Sequence, residues 1–271
     1  MKEREQLKFE SPGFLQRIRG MLGVDFYRLF HTPTFYIFLA ISAMIPAIIL
    51  GCGGTGEATS MYTNTWQMVA ADTPLYVVGN MGDYANMNMV FIFGGIMVSI
   101  FIGRDYKSGY VEQLFTTHAK KQDYMISKTL AGAFAMMCMC ISYLLGTVGA
   151  GLMVGAAMDV SVGSLFLAVL GKMVMSLGWA GLYTFLNIIF RRYFGISIAS
   201  SFFLGTGILI IGAASVVGNS GLLNIFLYGS SVYACLSATP VTLITCLVVS
   251  AVWMLVYIGL GTLVLNKCDV Y

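Results

Sequence analysis

The chain has 271 residues, 58% of them hydrophobic and only 10% charged, with a net charge of +3. Ordinary soluble domains carry about 25% charged residues, so such a domain is excluded. A mean hydropathy of +0.82 and several apolar stretches of roughly 20 residues, enough to cross about 30 Å of hydrocarbon, point instead to an all-α integral membrane protein. Its small positive balance is explained by membrane topology and gives no ground for a nucleic-acid partner.

Residues 1–33 read as a basic cytosolic arm and 34–271 as one membrane domain. The first thirty residues carry charges throughout and no long apolar core, so no secretory signal is expected. From Phe14 to Phe30 a helical reading gathers Phe14, Leu15, Ile18, Leu22, Phe26 and Leu29 on one arc. Arg17 and Arg28 flank that arc on one edge and Arg19 on the other, as in a helix lying at a lipid headgroup boundary. Asp25 falls inside the apolar arc, and Gly20 and Gly23 weaken the helix. A solvated basic tail is the alternative reading.

Six spans are expected, at about Thr34–Leu50, Asn86–Gly103, Thr129–Ala156, Val162–Phe190, Ile196–Val217 and Val241–Leu265. With the N-terminus inside, the cytosolic segments hold every Lys and Arg except Lys172. The outer segments hold Glu57, Asp72, Asp83 and Asp159 but no basic residue. Orientation follows the Lys/Arg distribution, so both termini are expected in the cytosol of a multi-pass cell membrane protein.

The outer segment 51–85 is long and rich in turn formers, with Tyr62, Trp66 and Tyr76 suited to the outer interface. A second outer segment, Asn219–Pro240, is too broken to span and too greasy for a water-exposed loop. It fits a re-entrant hairpin whose backbone is satisfied by protein or a cavity, or else an interfacial loop. Small residues recur in the third to fifth spans: Gly146, Ala150, Gly151 and Gly155, then Gly178 and Gly181, then Gly205, Gly207 and Gly212. They suit close helix packing within one bundle, or a dimer seam.

Between the second and third spans lies the one long charged segment, Arg104–Lys128. Val111, Leu114, Phe115 and His118 share one face of a short helix at i, i+3, i+4, i+7 spacing. Ser108 reads as its N-cap, and Glu112 stands in the first turn, where a negative charge suits the helix dipole. A cytosolic helix with one greasy face is expected to dock on another chain.

Candidate chemistry elsewhere is sparse. Among Cys52, Cys138, Cys140, Cys235, Cys246 and Cys268 there is no CxxC pair, so no metal site is expected. Cys52 and Cys235 are the two on the outer side and could form a disulfide. His31 and His118 both fall at the cytosolic boundary, and no HExxH or intramembrane aspartate pair occurs. Lys172 is the one ionisable residue inside an expected span. It either reaches outward to headgroups or Asp159, faces a cavity, or joins Ser176 one turn away in a Ser–Lys dyad. Gly171-Lys172 is followed by Met173 where a nucleotide-binding loop needs Ser or Thr, and Phe166 stands where its first Gly belongs. Any ATP is therefore expected on a partner subunit.

Three stretches carry a family resemblance: DFYRLFHTPTFYIFL at Asp25–Leu39, the charged region from Phe101 to Gly132, and the tail LNKCDVY. The layout resembles the membrane subunit of type 2 ABC exporters, above all the small permeases of bacteriocin and lantibiotic immunity or peptide export. The resemblance implies a six-span half-transporter that pairs with an identical or different second permease subunit. It also implies a re-entrant outer hairpin, contact with membrane lipid, and ATP with Mg held by an ABC ATP-binding subunit. By position, Arg104, Asp105, Lys107, Gly109 and Glu112 match the family's coupling loop and helix, and Lys128 the residue leading into the third span. Tyr110 stands where the family commonly has a small hydroxyl residue, and Lys120-Lys121 where an Arg is usual. Export of an amphipathic antimicrobial peptide or another hydrophobic compound follows as the expected activity. The alternatives are an immunity or sensor protein that binds a peptide without moving it, or a membrane enzyme using Lys172.

Overall fold

The computed structural model describes residues 13–52, 89–116, 119–154, 162–191, 193–205, 225–236 and 239–267. Every regular element among them is a helix: α1 (Phe14–Phe30), α2 (Pro33–Cys52), α3 (Met89–Lys107), α4 (Tyr110–Thr116), α5 (Lys121–Val154), α6 (Val162–Ile189), α7 (Phe194–Gly205), α8 (Leu227–Leu236) and α9 (Pro240–Lys267). Four of them, α3, α5, α6 and α9, are long and apolar enough to cross a membrane; α1 and α2 together would make a fifth. This is compatible with a multi-pass membrane protein. The fifth expected span is described only to Gly205, as the 12-residue α7.

Proline sets the break between α1 and α2. Pro33 has no N–H to continue α1, and its fixed φ suits the first position of α2. The Thr32 hydroxyl donates to the Arg28 carbonyl at 2.6 Å, closing the end of α1. The two helices meet at 66°. The observed α1 has the expected limits, but its outer apolar residues Phe14 and Leu15 are exposed. Its inward face, with Leu22, Asp25, Phe26 and Leu29, lies on α5, where Phe26 and Phe134 meet edge-on at 5.0 Å.

Helices α5 and α6 form the centre, with α2, α3 and α9 around them. The core holds Trp179, Tyr143, Tyr183, Phe91 and Met97, all nearly inaccessible. Glycine lets the helices come this close. A Cβ at Gly146 would strike the Ala43 backbone of α2, and one at Gly181 would lie 3.2 Å from Met254 Cα of α9. At Gly178 the α6 N–H donates to Ser250 Oγ (2.9 Å), which itself donates to the Val174 carbonyl (2.8 Å). The small residues at these positions therefore serve packing within the bundle. Helix α9 is peripheral and much less buried than α6.

The described part of the greasy segment before α9, residues 225–236, packs on the bundle. Trp253 Nε1 donates to the Ile225 carbonyl at 2.8 Å, and Phe226 stacks on Trp253 with ring centres 6.0 Å apart. Trp253 lies about 20 Å along a helix about 42 Å long. Residues 225–227 thus sit level with the middle of α9, and α8 returns along the first half of α9, with Leu227, Tyr228, Ser230 and Ser231 buried.

Candidate functional site

The charged ends of α1, α3, α5 and α9 converge, and their polar side chains knit them together. Arg17 of α1 pairs with Asp123 of α5 at 2.7 Å. Arg104 of α3 donates to Thr34 Oγ1 of α2 at 3.0 Å, and Lys121 of α5 to the Leu265 carbonyl of α9 at 2.6 Å.

At the centre of this end lies a chain of four alternating charges. The Lys128 ammonium is 2.5 Å from Asp25 and 2.5 Å from Asp105. Arg28 reaches the other oxygen of Asp105 at 2.5 Å. Asp25 also accepts the Ser127 hydroxyl at 2.6 Å. Asp25, Asp105 and Lys128 are inaccessible, whereas the Arg28 side chain keeps 29% exposure. The group is neutral as a whole, which is the condition for burying it: an isolated ion here would lose its hydration without return. Aromatic faces complete the shell. Lys128 lies 4.5 Å from the Phe101 ring centre, and Arg28 4.3 Å from that of Tyr110. Burial, and then the nearby Asp25 carboxylate, push the Tyr110 phenol above its ordinary pKa, so it stays neutral at physiological pH.

Helix α4 sits across this end with its apolar face turned inward. Val111 is fully buried in a cluster with Tyr124, Met125, Ile188, Ile258 and Leu265. Leu114 and Phe115 pack against the same cluster, and Phe115 meets Tyr124 edge-on at 5.6 Å. The expected face is therefore present, but it docks on the chain's own α5, α6 and α9. What it leaves outward is Glu112, Gln113 and Thr116, beside Arg104 and Lys107. His118 lies outside the described residues.

Several expectations about this segment change. Ser108 is not the N-cap of α4; its hydroxyl donates back to the Asp105 carbonyl at 3.3 Å. The junction is made by Gly109, whose φ of +70° is a conformation that suits glycine, and the Gln113 N–H donates to its carbonyl. Lys128 lies inside a helix and not at its start, because α5 begins at Lys121 and buries it two turns later. Asp105, grouped with the docking residues, is a buried counter-ion. The helices outrun the expected spans because charges that would be costly in lipid are paired against one another here.

Lys172 is buried in the bundle, its ammonium 5.7 Å from the Phe91 ring centre. Phe91, Trp179 and Tyr183 continue as a stack with successive centres 5.5 Å apart. Ser176 donates to the Lys172 carbonyl at 3.2 Å, so the hydroxyl is engaged with the backbone. A second buried network, unforeseen from sequence, joins α3, α6 and α7: Asn187 donates to Ser99 at 3.0 Å and accepts from Ser197, while Ser99 meets Ser201 at 2.9 Å. Cys138, Cys140 and Cys246 are thiols, and Cys246 Sγ donates to the Ser230 carbonyl at 3.5 Å. The side chains of Cys52 and Cys235 lie outside the described residues. Among the described residues, no three His, Cys, Asp or Glu side chains gather as a metal site requires.

The role of Asp25 was missed, although the sequence held a signal: an acid within an otherwise apolar arc needs a buried cation. No known protein family, curated protein or solved structure matches this chain.

Proposed function

We propose that this chain is the permease subunit of an ATP-driven exporter in the cell membrane, with both termini cytosolic and the charged end facing an ABC ATP-binding subunit. The observation that carries the reading is α4: a seven-residue helix, clamped by its apolar face and presenting Glu112, Gln113 and Thr116 outward. A push on that exposed face passes directly to the ends of α5, α6 and α9. The chain lacks a nucleotide-binding loop, so the push comes from a partner holding ATP and Mg. The return of α8 along α9, from the level of that helix's middle, supports the re-entrant hairpin of such permeases. Cargo would be an amphipathic peptide or another hydrophobic compound, and the second permease subunit an identical or different chain.

Finding whether an ABC ATP-binding subunit is encoded next to this chain, and co-expressing the two, tests the reading. A complex whose ATPase activity responds to an amphipathic peptide, with peptide flux in sealed vesicles, is the expected result. A chain that assembles with no ATPase, or moves cargo alone, overturns it.

A further inference from the structure

We infer that these four charges, three of them buried and Arg28 partly exposed, form a two-position latch between α1 and the bundle, in which Asp25 is the positioning residue. This rests on the permease reading and deepens it. Helix α1 contributes one acid and one base, Asp25 and Arg28; the bundle contributes one of each, Asp105 on α3 and Lys128 on α5. In the structure the pairs run across the interface, Asp25 to Lys128 and Arg28 to Asp105. The same four charges have a second neutral pairing. Lys128 already touches Asp105 at 2.5 Å. Asp25 and Arg28, three residues apart on one helix, stand at the spacing at which side chains meet. If α1 slides away, each side keeps an internal pair and no ion is orphaned.

That second pairing distinguishes a latch from a staple. Apolar residues would hold α1 on α5 as firmly, since replacing a buried ion pair by apolar groups is often neutral or stabilising. Charges that can exchange partners give two discrete arrangements, which an external push can bias. Tyr110 links the latch to the helix that receives the push. It belongs to α4 and lies over both Arg28 (4.3 Å) and Lys128 (5.8 Å). A displaced α4 withdraws that ring from the cross-interface cations.

The test uses the full permease–ATPase complex with spin labels at Arg19→Cys on α1 and Ile141→Cys on α5, native cysteines replaced. Adding ATP and Mg is expected to shift the wild-type label distance. The double variant Asp25→Leu/Lys128→Met leaves only the Arg28–Asp105 pair, with no alternative partners. It is expected to fold, bind the ATPase and hydrolyse ATP, yet lose the shift. The complementary variant Arg28→Met/Asp105→Leu is expected to lock in the same way. Retention of the wild-type shift in a folded double variant overturns the latch and leaves the permease reading intact. So does a wild-type distance that ignores nucleotide while the complex transports. A wild-type chain that binds no ATPase removes both.

Discussion

The ammonium of Lys128 lies 2.5 Å from a carboxylate oxygen of Asp105, and neither side chain reaches solvent. Removing one member of such a group costs more than the group contributes, because the remaining ion is left buried alone. Asp105→Ala is expected to destabilise the protein by about 3–5 kcal/mol. Thermal unfolding in detergent, followed by size-exclusion fluorescence, measures this. A change below about 1 kcal/mol would contradict the buried geometry.

The two faces of α4 should separate stability from assembly. Val111→Asp puts a carboxylate into a cluster with no counter-charge and is expected to abolish folding or cost several kcal/mol. Glu112→Lys and Gln113→Arg alter only the exposed face and should leave stability within about 0.5 kcal/mol. Under the permease reading these two lower ATPase recovery in pull-downs, whereas equal recovery would place the docking surface elsewhere.

Glycine contacts give a paired control. Gly146→Ala drives a methyl group into the Ala43 backbone and should cost about 1–3 kcal/mol or more. Gly149→Ala meets nothing within 4 Å and should be neutral or stabilise by up to about 1 kcal/mol through helix propensity. Reversal of that order in melting temperature would rule out the α2–α5 packing.

Tyr110 supplies a pH signature. Its folded pKa is raised above the ordinary 10.0 by burial and then by Asp25. The neutral phenol is therefore favoured in the folded state. That contribution is complete below pH 10 and is lost as pH rises through the folded value. Tyr110→Phe cannot ionise, so its melting temperature should fall less steeply than wild type above pH 10. Parallel curves would show that the phenol is not confined.

Part of the fold was legible because apolar length and periodicity are local signals: α1 and α6 have nearly the expected limits, and Val111, Leu114 and Phe115 of the expected α4 face are covered. The partner of that face was not legible, since periodicity shows that these residues are covered but not by what. The same gap explains the charged segment. Lys121–Lys128 looked like loop because charge is costly in lipid, and only the fold brings Asp25 beside Lys128. Lys172 stayed open between headgroup and interior for that reason; the structure places it against Phe91.

The seat of Gly146 on Ala43 also limits what can move. At this point main chain rests on main chain with no side chain between, and a one-turn slip would bring Ser142 or Ala150 into the gap. These two helices should travel as a single strut. Any rocking of the molecule would then bend at joints on either side of that strut, the Pro33 elbow and the Gly109 turn.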